Sequence, residues 1–305
     1  MPRMNQFDST GPDAVAAAVA QCIADHTGTP FEPTGSQACS GGSINQAQRF
    51  TGSDGRAFFV KLSGGDGAAM FAAEARGLEE LARCERLKIP AVVGTGSAGG
   101  THFLVLENLA LGGPRDGVAL GHGIADMHQK TRPRFGLDHD NFIGSTPQPN
   151  AEHDDWAAFY RDERLGFQRR LARERGAAGS LLGALEELES SLGGFFTDYQ
   201  PVPSLLHGDL WSGNWGFLAD GSVTIFDPAV YYGDREADLA MMELFGHPGQ
   251  DFVAAYEEIL PIDPGYGVRR TLYNLYHILN HDHLFGGGYG AQAERMIRQL
   301  LAELR

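Results

Sequence analysis

Lysine is the scarcest charged residue of this 305-residue chain, which has only Lys61, Lys88 and Lys130 beside its arginines. The 39 acidic residues outnumber the 24 basic ones, and the formal net charge is −15. So acidic a surface cannot easily gather the basic face that nucleic-acid binding requires, and we expect no nucleic-acid partner. A polyphosphate ligand is not excluded, because Mg²⁺ can mediate its contact with acidic groups.

Cysteines and long apolar runs are also few. Cys22, Cys39 and Cys84 are odd in number and lack ligand-like spacing, which favours a reduced, cytoplasmic protein. No apolar run is long enough to span a bilayer, so no membrane association is expected. The Ala-rich stretch near the N-terminus lacks a cationic n-region beyond Arg3, and it predicts an amphipathic helix from about Asp13 to His26.

The hydrophobic pattern changes character along the chain. The first third predicts strands around the turn Gly52–Gly55, a helix over residues 68–87, and two more strands near 91–94 and 103–107. The remainder is mostly helical. We therefore predict an N-lobe over residues 1–111 and a C-lobe over 112–305.

One glycine motif is also typical of dinucleotide-binding proteins. The string GTGSAG, residues 94–99, matches the dinucleotide fingerprint G-x-G-x-x-G. That fingerprint requires a helix directly afterwards, whereas the following THFLVLENL is strand-like. We predict a hairpin turn here instead.

The run LLHGDLWSGNWGF, residues 205–217, carries the strongest chemical signal. Asp209 and Asn214 have the spacing of a protein-kinase catalytic loop, in which the Asp is a base and the Asn a metal ligand. Asp227 ends a strand-like segment thirteen positions after Asn214 and adds a second oxygen ligand suited to Mg²⁺. A helix-capping Asp and a turn Asn would explain the first motif alone, but three matched positions in order favour the catalytic interpretation.

The first third supplies complementary groups. Lys61 lies in the apolar run RAFFVKL and needs a carboxylate partner if it is buried. Glu74, thirteen residues later on the predicted helix, is the candidate that would hold Lys61 against phosphate oxygens. Gly41, Gly42 and Ser43 form a predicted Gly-rich hairpin whose backbone N–H groups could cover phosphates.

These segments resemble the fructosamine kinase (ketosamine-3-kinase) family, which has an α+β, bilobal protein-kinase-like fold related to the aminoglycoside phosphotransferases. The resemblance is carried by LLHGDLWSGN and FDPAVYYGDREADLAM, with GGSIN, FFVKL, FAAEARGL, FLVLENLAL, LGHGIADMHQ and FGLDHDNFIGSTPQPN in the same order. It extends from about residue 31 to residue 290. Asp-Pro-Ala at 227–229 and Trp211 in the catalytic loop distinguish the chain from eukaryotic protein kinases.

The resemblance implies a small antiparallel-sheet N-lobe, a mostly helical C-lobe and ATP-dependent phosphorylation of the C3 hydroxyl of a ketosamine, free or on a glycated lysine of a protein. This activity is associated with deglycation and protein repair. By position, the resemblance assigns the following roles: Asp209 as base, Asn214 and Asp227 as Mg²⁺ ligands, Lys61 and Glu74 as the phosphate-binding pair, Glu107, Asn108 and Leu109 as the adenine-binding hinge, Asp238 as an anchor of the catalytic loop, and His207 as its buttress.

Several alternatives stay open at this point. Trp211 is either a platform for the sugar or a loop-packing residue. Ser43 stands where some family members carry a redox-active cysteine, and Cys39, four residues earlier, is expected to be a small buried side chain. The substrate could instead be another hydroxylated amine, such as an aminoglycoside or a choline-like compound. A pseudokinase that only binds nucleotide is disfavoured, because no member of the Lys61, Glu74, Asp209, Asn214 and Asp227 set is missing.

Overall fold

The computed structural model describes residues 12–39 and 46–304, and the chain divides into two compact units. The first is drawn from residues up to Glu79 and from Ile89–Leu111, and the second from Glu80–Lys88 and from Gly112 onward. Residues 80–88 belong to the second unit because their backbone is bonded there. The N–H of Lys88 donates to the carbonyl of Val223 at 2.7 Å, and the N–H of Glu85 to the Asp126 carboxylate at 3.2 Å. The assignment of nucleotide and substrate roles to the units stays a prediction.

The first unit is built on a five-stranded antiparallel sheet in the order β1-β2-β3-β5-β4. Its strands are β1 (Pro33–Ala38), β2 (Gln46–Gly52), β3 (Ala57–Ser63), β4 (Val92–Ala98) and β5 (Thr101–Glu107). The β-branched and aromatic residues of AFFVKLS and THFLVLE suit β3 and β5, which are both paired on two sides within the sheet. The sheet therefore places Lys61 at its centre, between Ala47 of β2 and Leu104 of β5.

Two helices accompany this sheet. Helix α1 (Pro12–Thr27) confirms the predicted N-terminal helix, and its buried Val15, Val19 and Ile23 recur at helical spacing in the core of the unit. Helix α2 (Gly67–Leu81) carries Glu74. The prediction that this helix continues to residue 87 is wrong, because the chain turns after Leu81 and joins the second unit.

The GTGSAG motif lies in a hairpin, as predicted, although its turn is shorter than expected. Residues 94–98 are still part of β4, and only Gly99 and Gly100, both with positive φ, make the turn to β5. Gly96 cannot carry a side chain here, because a Cβ would collide with the Phe103 ring of the paired strand. These glycines serve strand packing and a tight turn.

The second unit is mostly helical. Its helices are α3 (Gly117–His128), α4 (Trp156–Phe159), α5 (Gly166–Glu174), α6 (Gly179–Ser191), α7 (Glu236–Leu244), α8 (Gln250–Glu257), α9 (Tyr266–Phe285) and α10 (Tyr289–Glu303). A π-helical segment, Tyr160–Leu165, joins α4 to α5, and a 3₁₀ segment, Leu192–Phe196, follows α6. Within the two described stretches of the chain, no helix is both long and apolar enough to cross a membrane.

Three short antiparallel strand pairs lie among these helices. They are β6 (Asn141–Ile143) with β7 (Thr146–Gln148), β8 (Ser204–Leu206) with β11 (Tyr231–Gly233), and β9 (Trp215–Phe217) with β10 (Val223–Ile225). The chain from 207 to 214 therefore starts at the end of one pair and ends at the beginning of another. This arrangement fixes both ends of the segment that contains Asp209 and Asn214.

Candidate active site

In the first unit, Lys61 and Glu74 form the expected ion pair. The Nζ atom of Lys61 donates to Oε1 of Glu74 at 2.6 Å. Lys61 is only 6% exposed, so its ammonium group needs this carboxylate to offset the cost of burial. The pair holds the only lysine of the apolar strand in a defined position, which is what a phosphate-binding lysine requires.

The other residues predicted to contact the nucleotide are those of the Gly-rich hairpin and those at and after the end of β5. Gly41, Gly42 and Ser43 lie outside the described residues. Glu107 ends β5, and both its N–H and its Oε2 bond to the backbone of Ala91, at 2.8 and 3.1 Å. Asn108 and Leu109 follow it and are partly exposed, and the role of the three as an adenine hinge stays a prediction.

Cys39 differs from its expected environment. It is partly exposed rather than buried, because it follows β1, a strand whose residues are all exposed. Its N–H donates to the carbonyl of Ala47 at 2.9 Å, which continues the pairing of β1 with β2 by one residue.

In the second unit, Asp209 and Asn214 are in direct contact. The Nδ2 atom of Asn214 donates to the backbone oxygen of Asp209 at 2.8 Å and to its Oδ2 at 3.2 Å. It also lies 3.5 Å from the backbone oxygen of Asp227. The structure therefore brings together the three residues that the sequence spacing singled out in this unit.

The β9–β10 hairpin explains this convergence. Asn214 immediately precedes β9, Asp227 follows β10 by two residues, and Trp215 pairs with Ile225. The N–H of Phe226 extends the ladder by donating to the carbonyl of Asn214 at 3.0 Å. The two candidate metal ligands thus lie at one end of a hairpin, as the sequence predicted.

The donor set suits a hard divalent cation. An amide oxygen from Asn214 and a carboxylate from Asp227, beside the carboxylate of Asp209, are the oxygen ligands that Mg²⁺ prefers. Asp227 has φ +59°, and it is the only non-glycine residue of the described chain in the left-handed region. Such backbone strain persists only where the surroundings enforce it, and it is common at active sites.

The electrostatics of Asp209 suit a general base. Burial, together with the negative charge of Asp227, raises the pKa of Asp209 to about 7 from an ordinary 3.8, against the opposing hydrogen bond from Asn214. A base whose pKa lies near the working pH combines a useful ionised fraction with a strong tendency to accept a proton.

Two side chains hold the backbone of the loop. Asp238, in the first turn of α7, accepts the N–H groups of His207 at 2.7 Å and Gly208 at 2.9 Å, as the resemblance implied. The buried ring of His207 lies with Nε2 2.9 Å from the carbonyl of Phe226, while its Nδ1 accepts the N–H of Asp209 at 3.2 Å. Burial lowers the pKa of His207, so it acts as a neutral support with the proton on Nε2.

Trp211 is 38% exposed, and its ring lies edge-on to Phe245 with 6.5 Å between centroids. A Cβ at Gly213 would collide with the Trp211 ring, so the loop glycine makes room for it. Both predicted roles, sugar platform and loop packing, are compatible with this position.

Two buried polar residues that bond to the backbone shortly after Asp227 were not predicted as part of the site. Asn141 and Gln148, on the β6–β7 hairpin, donate to the carbonyls of Val230 and Ala229. The signal in the sequence is the density of amide side chains in NFIGSTPQPN, a segment that also carries part of the family resemblance.

Comparison with known proteins shows which family the sequence matches. The family model of the fructosamine kinases matches residues 15–303. A probable ketoamine kinase of Synechocystis sp. is 45% identical over 93% of this chain and 96% of its own. A chloroplastic protein-ribulosamine 3-kinase of Arabidopsis thaliana is 40% identical over 87% of this chain and 82% of its own.

A crystal structure shows the same fold. The protein, from Haemophilus somnus 129PT and proposed to be a fructosamine-3-kinase, superposes with a TM-score of 0.83 at 29% identity over 93% of this chain and 96% of its own. The predicted α+β fold, with a small antiparallel sheet and a larger helical part, is confirmed.

Proposed function

Since the chain belongs to the fructosamine kinase family, we propose that it transfers the γ-phosphoryl group of ATP to the C3 hydroxyl of a ketosamine, the sugar adduct that glycation leaves on an amine. The observation that carries the proposal is the contact of Asp209 with Asn214 beside Asp227, with the pKa of Asp209 raised to about 7. This arrangement offers a base for a hydroxyl group and oxygen ligands for a cation.

In the proposed mechanism, Asp209 orients the sugar hydroxyl and accepts its proton as the phosphoryl group is transferred. Asn214 fixes the carboxylate by donating to Oδ2, which leaves Oδ1 to face the hydroxyl. Asn214 Oδ1 and the Asp227 carboxylate would hold Mg²⁺. When bound, the cation would neutralise charge on the phosphate oxygens.

The residues of the first unit would bind ATP. Lys61, held by Glu74 at 2.6 Å, would contact phosphate oxygens, and the backbone of Glu107, Asn108 and Leu109 would contact adenine. Backbone N–H groups of Gly41, Gly42 and Ser43 would cover the phosphates. Positioning and electrostatic stabilisation then supply most of the catalysis, as is usual for phosphoryl transfer.

The biological consequence would be deglycation. A 3-phosphate destabilises the adduct, so the amine is released, and the activity would repair glycated amines or glycated lysines on proteins. The described cysteines are all free thiols, which supports the proposed cytoplasmic location.

A kinase assay on synthetic fructosyl-, ribulosyl- and erythrulosyl-lysine tests this function. We expect ATP-dependent phosphorylation of at least one of them, with NMR locating the phosphate on C3. An aminoglycoside and a choline-like amine belong in the same panel, because a kinase of either would share the Asp209 and Asp227 chemistry. ATP consumption with only those substrates would replace the ketosamine proposal, and ATP binding without any turnover would indicate a pseudokinase.

A further inference from the structure

The backbone that follows Asp227 is held by side chains of the β6–β7 hairpin, which is distant from it in the sequence. Asn141 of β6 donates from Nδ2 to the carbonyl of Val230 at 2.7 Å, and Gln148 of β7 donates from Nε2 to the carbonyl of Ala229 at 3.1 Å. Both side chains are buried, at 5% and 0% exposure. Buried amides without partners would be costly, so these bonds restrict the segment strongly.

The orientation of both amides is determined by their hydrogen-bond partners. Oδ1 of Asn141 accepts from Gln148 at 2.8 Å and from Asn150 at 2.9 Å, so its Nδ2 must face Val230. The carbonyl of Ala229 can only accept, so Nε2 of Gln148 must face it, and Oε1 then accepts the hydroxyl of Tyr276 at 2.8 Å. We refer to Asn141, Gln148 and Asn150 together as the amide clamp.

Arg164 lies at the other end of this hydrogen-bond network and determines which group donates and which accepts in each of its bonds. A guanidinium group can only donate, and Nη2 of Arg164 donates to Oδ1 of Asn150 at 2.8 Å. Asn150 must therefore present its Nδ2 to Asn141, which in turn must present its own Nδ2 to Val230. A single donor-only residue thus sets the polarity of three successive hydrogen bonds.

Arg164 is itself unusually well fixed. It is fully buried in the π-helical segment Tyr160–Leu165, and Nη1 donates to the carbonyl of Pro149 at 2.6 Å. Its guanidinium lies 4.1 Å from the ring centroid of Tyr231 and 4.7 Å from that of Phe159. Single π-helical turns are frequent at functional sites, and this one carries the arginine that bonds to Asn150 of the amide clamp.

We propose that the amide clamp, with Arg164, positions Asp227 for cation binding by holding the carbonyls two and three residues after it. The proposal rests on the proposed function, since it takes Asp227 to be a Mg²⁺ ligand. Asp227 keeps its left-handed φ of +59° because the chain on its C-terminal side is bonded and cannot relax. The three residues of the amide clamp and Arg164 are positioning residues that touch no reacting atom.

The test is Gln148→Met, which keeps the length of the side chain and removes its donors and acceptor. We expect faster hydrogen–deuterium exchange in peptides covering residues 226–233 of the unligated protein. We also expect the Mg²⁺ concentration for half-maximal ketosamine phosphorylation to rise by about tenfold or more, as is typical when a partner of a metal ligand is lost.

Gln168→Met is the matched control. Gln168 is buried in the same unit at 2% exposure and bonds to Asn280, whose amide reaches the carbonyl of Ile143 at the end of β6 but not the described segment 228–233. We expect it to lower the melting temperature while leaving the exchange of 226–233 and the Mg²⁺ dependence at wild-type values. If Gln148→Met does not fold, Tyr276→Phe removes only the hydroxyl that bonds to Oε1 of Gln148, and the same two changes are expected in weaker form.

The outcomes separate the two proposals. Wild-type protein that phosphorylates no ketosamine would defeat the proposed function. Hydrogen–deuterium exchange of residues 226–233 would still show whether the amide clamp restrains this segment. Folded Gln148→Met or Tyr276→Phe with unchanged exchange overturns the clamp. Faster exchange with an unchanged Mg²⁺ dependence overturns its role in positioning Asp227.

Discussion

Asp238 lies 31 residues after His207 in the chain, yet its Oδ2 accepts the backbone N–H of His207 at 2.7 Å. Its Oδ1 accepts the N–H of Gly208 at 2.9 Å. Burial alone would raise the pKa of Asp238, but its interactions with His128, His207 and Gly208 together outweigh burial and lower it. The carboxylate is thus ionised and binds the loop that carries Asp209 through two charge-assisted bonds.

Asp238→Asn should weaken this anchor. An amide offers one oxygen and one NH₂ group, so either His207 or Gly208 would face a donor instead of an acceptor. We expect the free energy of unfolding to fall by about 2–3 kcal/mol, the scale for a buried hydrogen bond to a charged group, and turnover to fall with it. Urea denaturation measures the first effect. Asp154→Asn, whose side chain is 87% exposed, should change stability by less than about 0.5 kcal/mol.

Asp209→Asn should remove the base. We expect turnover on a ketosamine to fall at least about a hundredfold, the lower end of general-base effects. Asp220→Asn, in the exposed turn of the β9–β10 hairpin, is the control and should retain wild-type turnover. Near-normal phosphorylation by purified Asp209→Asn protein would contradict the assignment of Asp209.

The pH dependence of stability offers an independent test of Asp209. Its pKa is raised to about 7 in the folded protein from an ordinary 3.8, so the native state binds more protons than the unfolded state between these values. The contribution of Asp209 to stability must therefore decrease as the pH rises from about 4 to about 7. We expect the gain in melting temperature of Asp209→Asn over wild type to be larger at pH 8 than at pH 4. A gain that is independent of pH would show that the carboxyl group titrates normally.

Lys61→Ala should impair the binding of ATP in a productive geometry. We expect ATP with Mg²⁺ to raise the melting temperature of the wild type more than that of the variant, because Lys61 would no longer meet phosphate oxygens. Lys130→Ala removes a lysine that pairs with Asp126 at 3.4 Å in the second unit, and it should keep the wild-type shift. Equal shifts for the wild type and Lys61→Ala would count against the phosphate-binding role.

The parts of the site that the sequence predicted are those built from local elements. Asn214 and Asp227 flank one short hairpin, and Lys61 and Glu74 lie on a strand and the helix that follows it. Fixed spacing and simple periodicity are sufficient to bring such pairs together. The proximity of the residues in each pair could therefore be predicted from the sequence.

Other features depend on contacts that no local pattern encodes. Asn141 meets Val230 across 89 residues and Gln148 meets Ala229 across 81. Helix α2 ends six residues before the end of its apolar pattern, because the segment that follows forms backbone hydrogen bonds within the second unit. In each case a tertiary contact decides the outcome, and intrinsic propensity is only a weak guide to it.

Gly208 provides the sharpest test of the loop geometry, because a second glycine supplies a matched control. Gly208 has φ +81° and Gly221 has φ +86°, so alanine at either position meets similar backbone strain. A Cβ at Gly208 would also collide with the carbonyl of Ala229, whereas one at Gly221 would meet no atom within 4 Å.

Gly221→Ala should therefore cost only the left-handed strain, about 1–2 kcal/mol of stability. Gly208→Ala should cost roughly 1–3 kcal/mol more, the range for overpacking, and should lower turnover by displacing the carbonyl of Ala229 that Gln148 holds. Urea denaturation and the ketosamine assay measure both variants. Equal losses of stability in Gly208→Ala and Gly221→Ala would mean that the catalytic loop and the segment after Asp227 do not approach as closely as the structure places them. The assigned geometry of Asp209 and Asp227 would then be wrong.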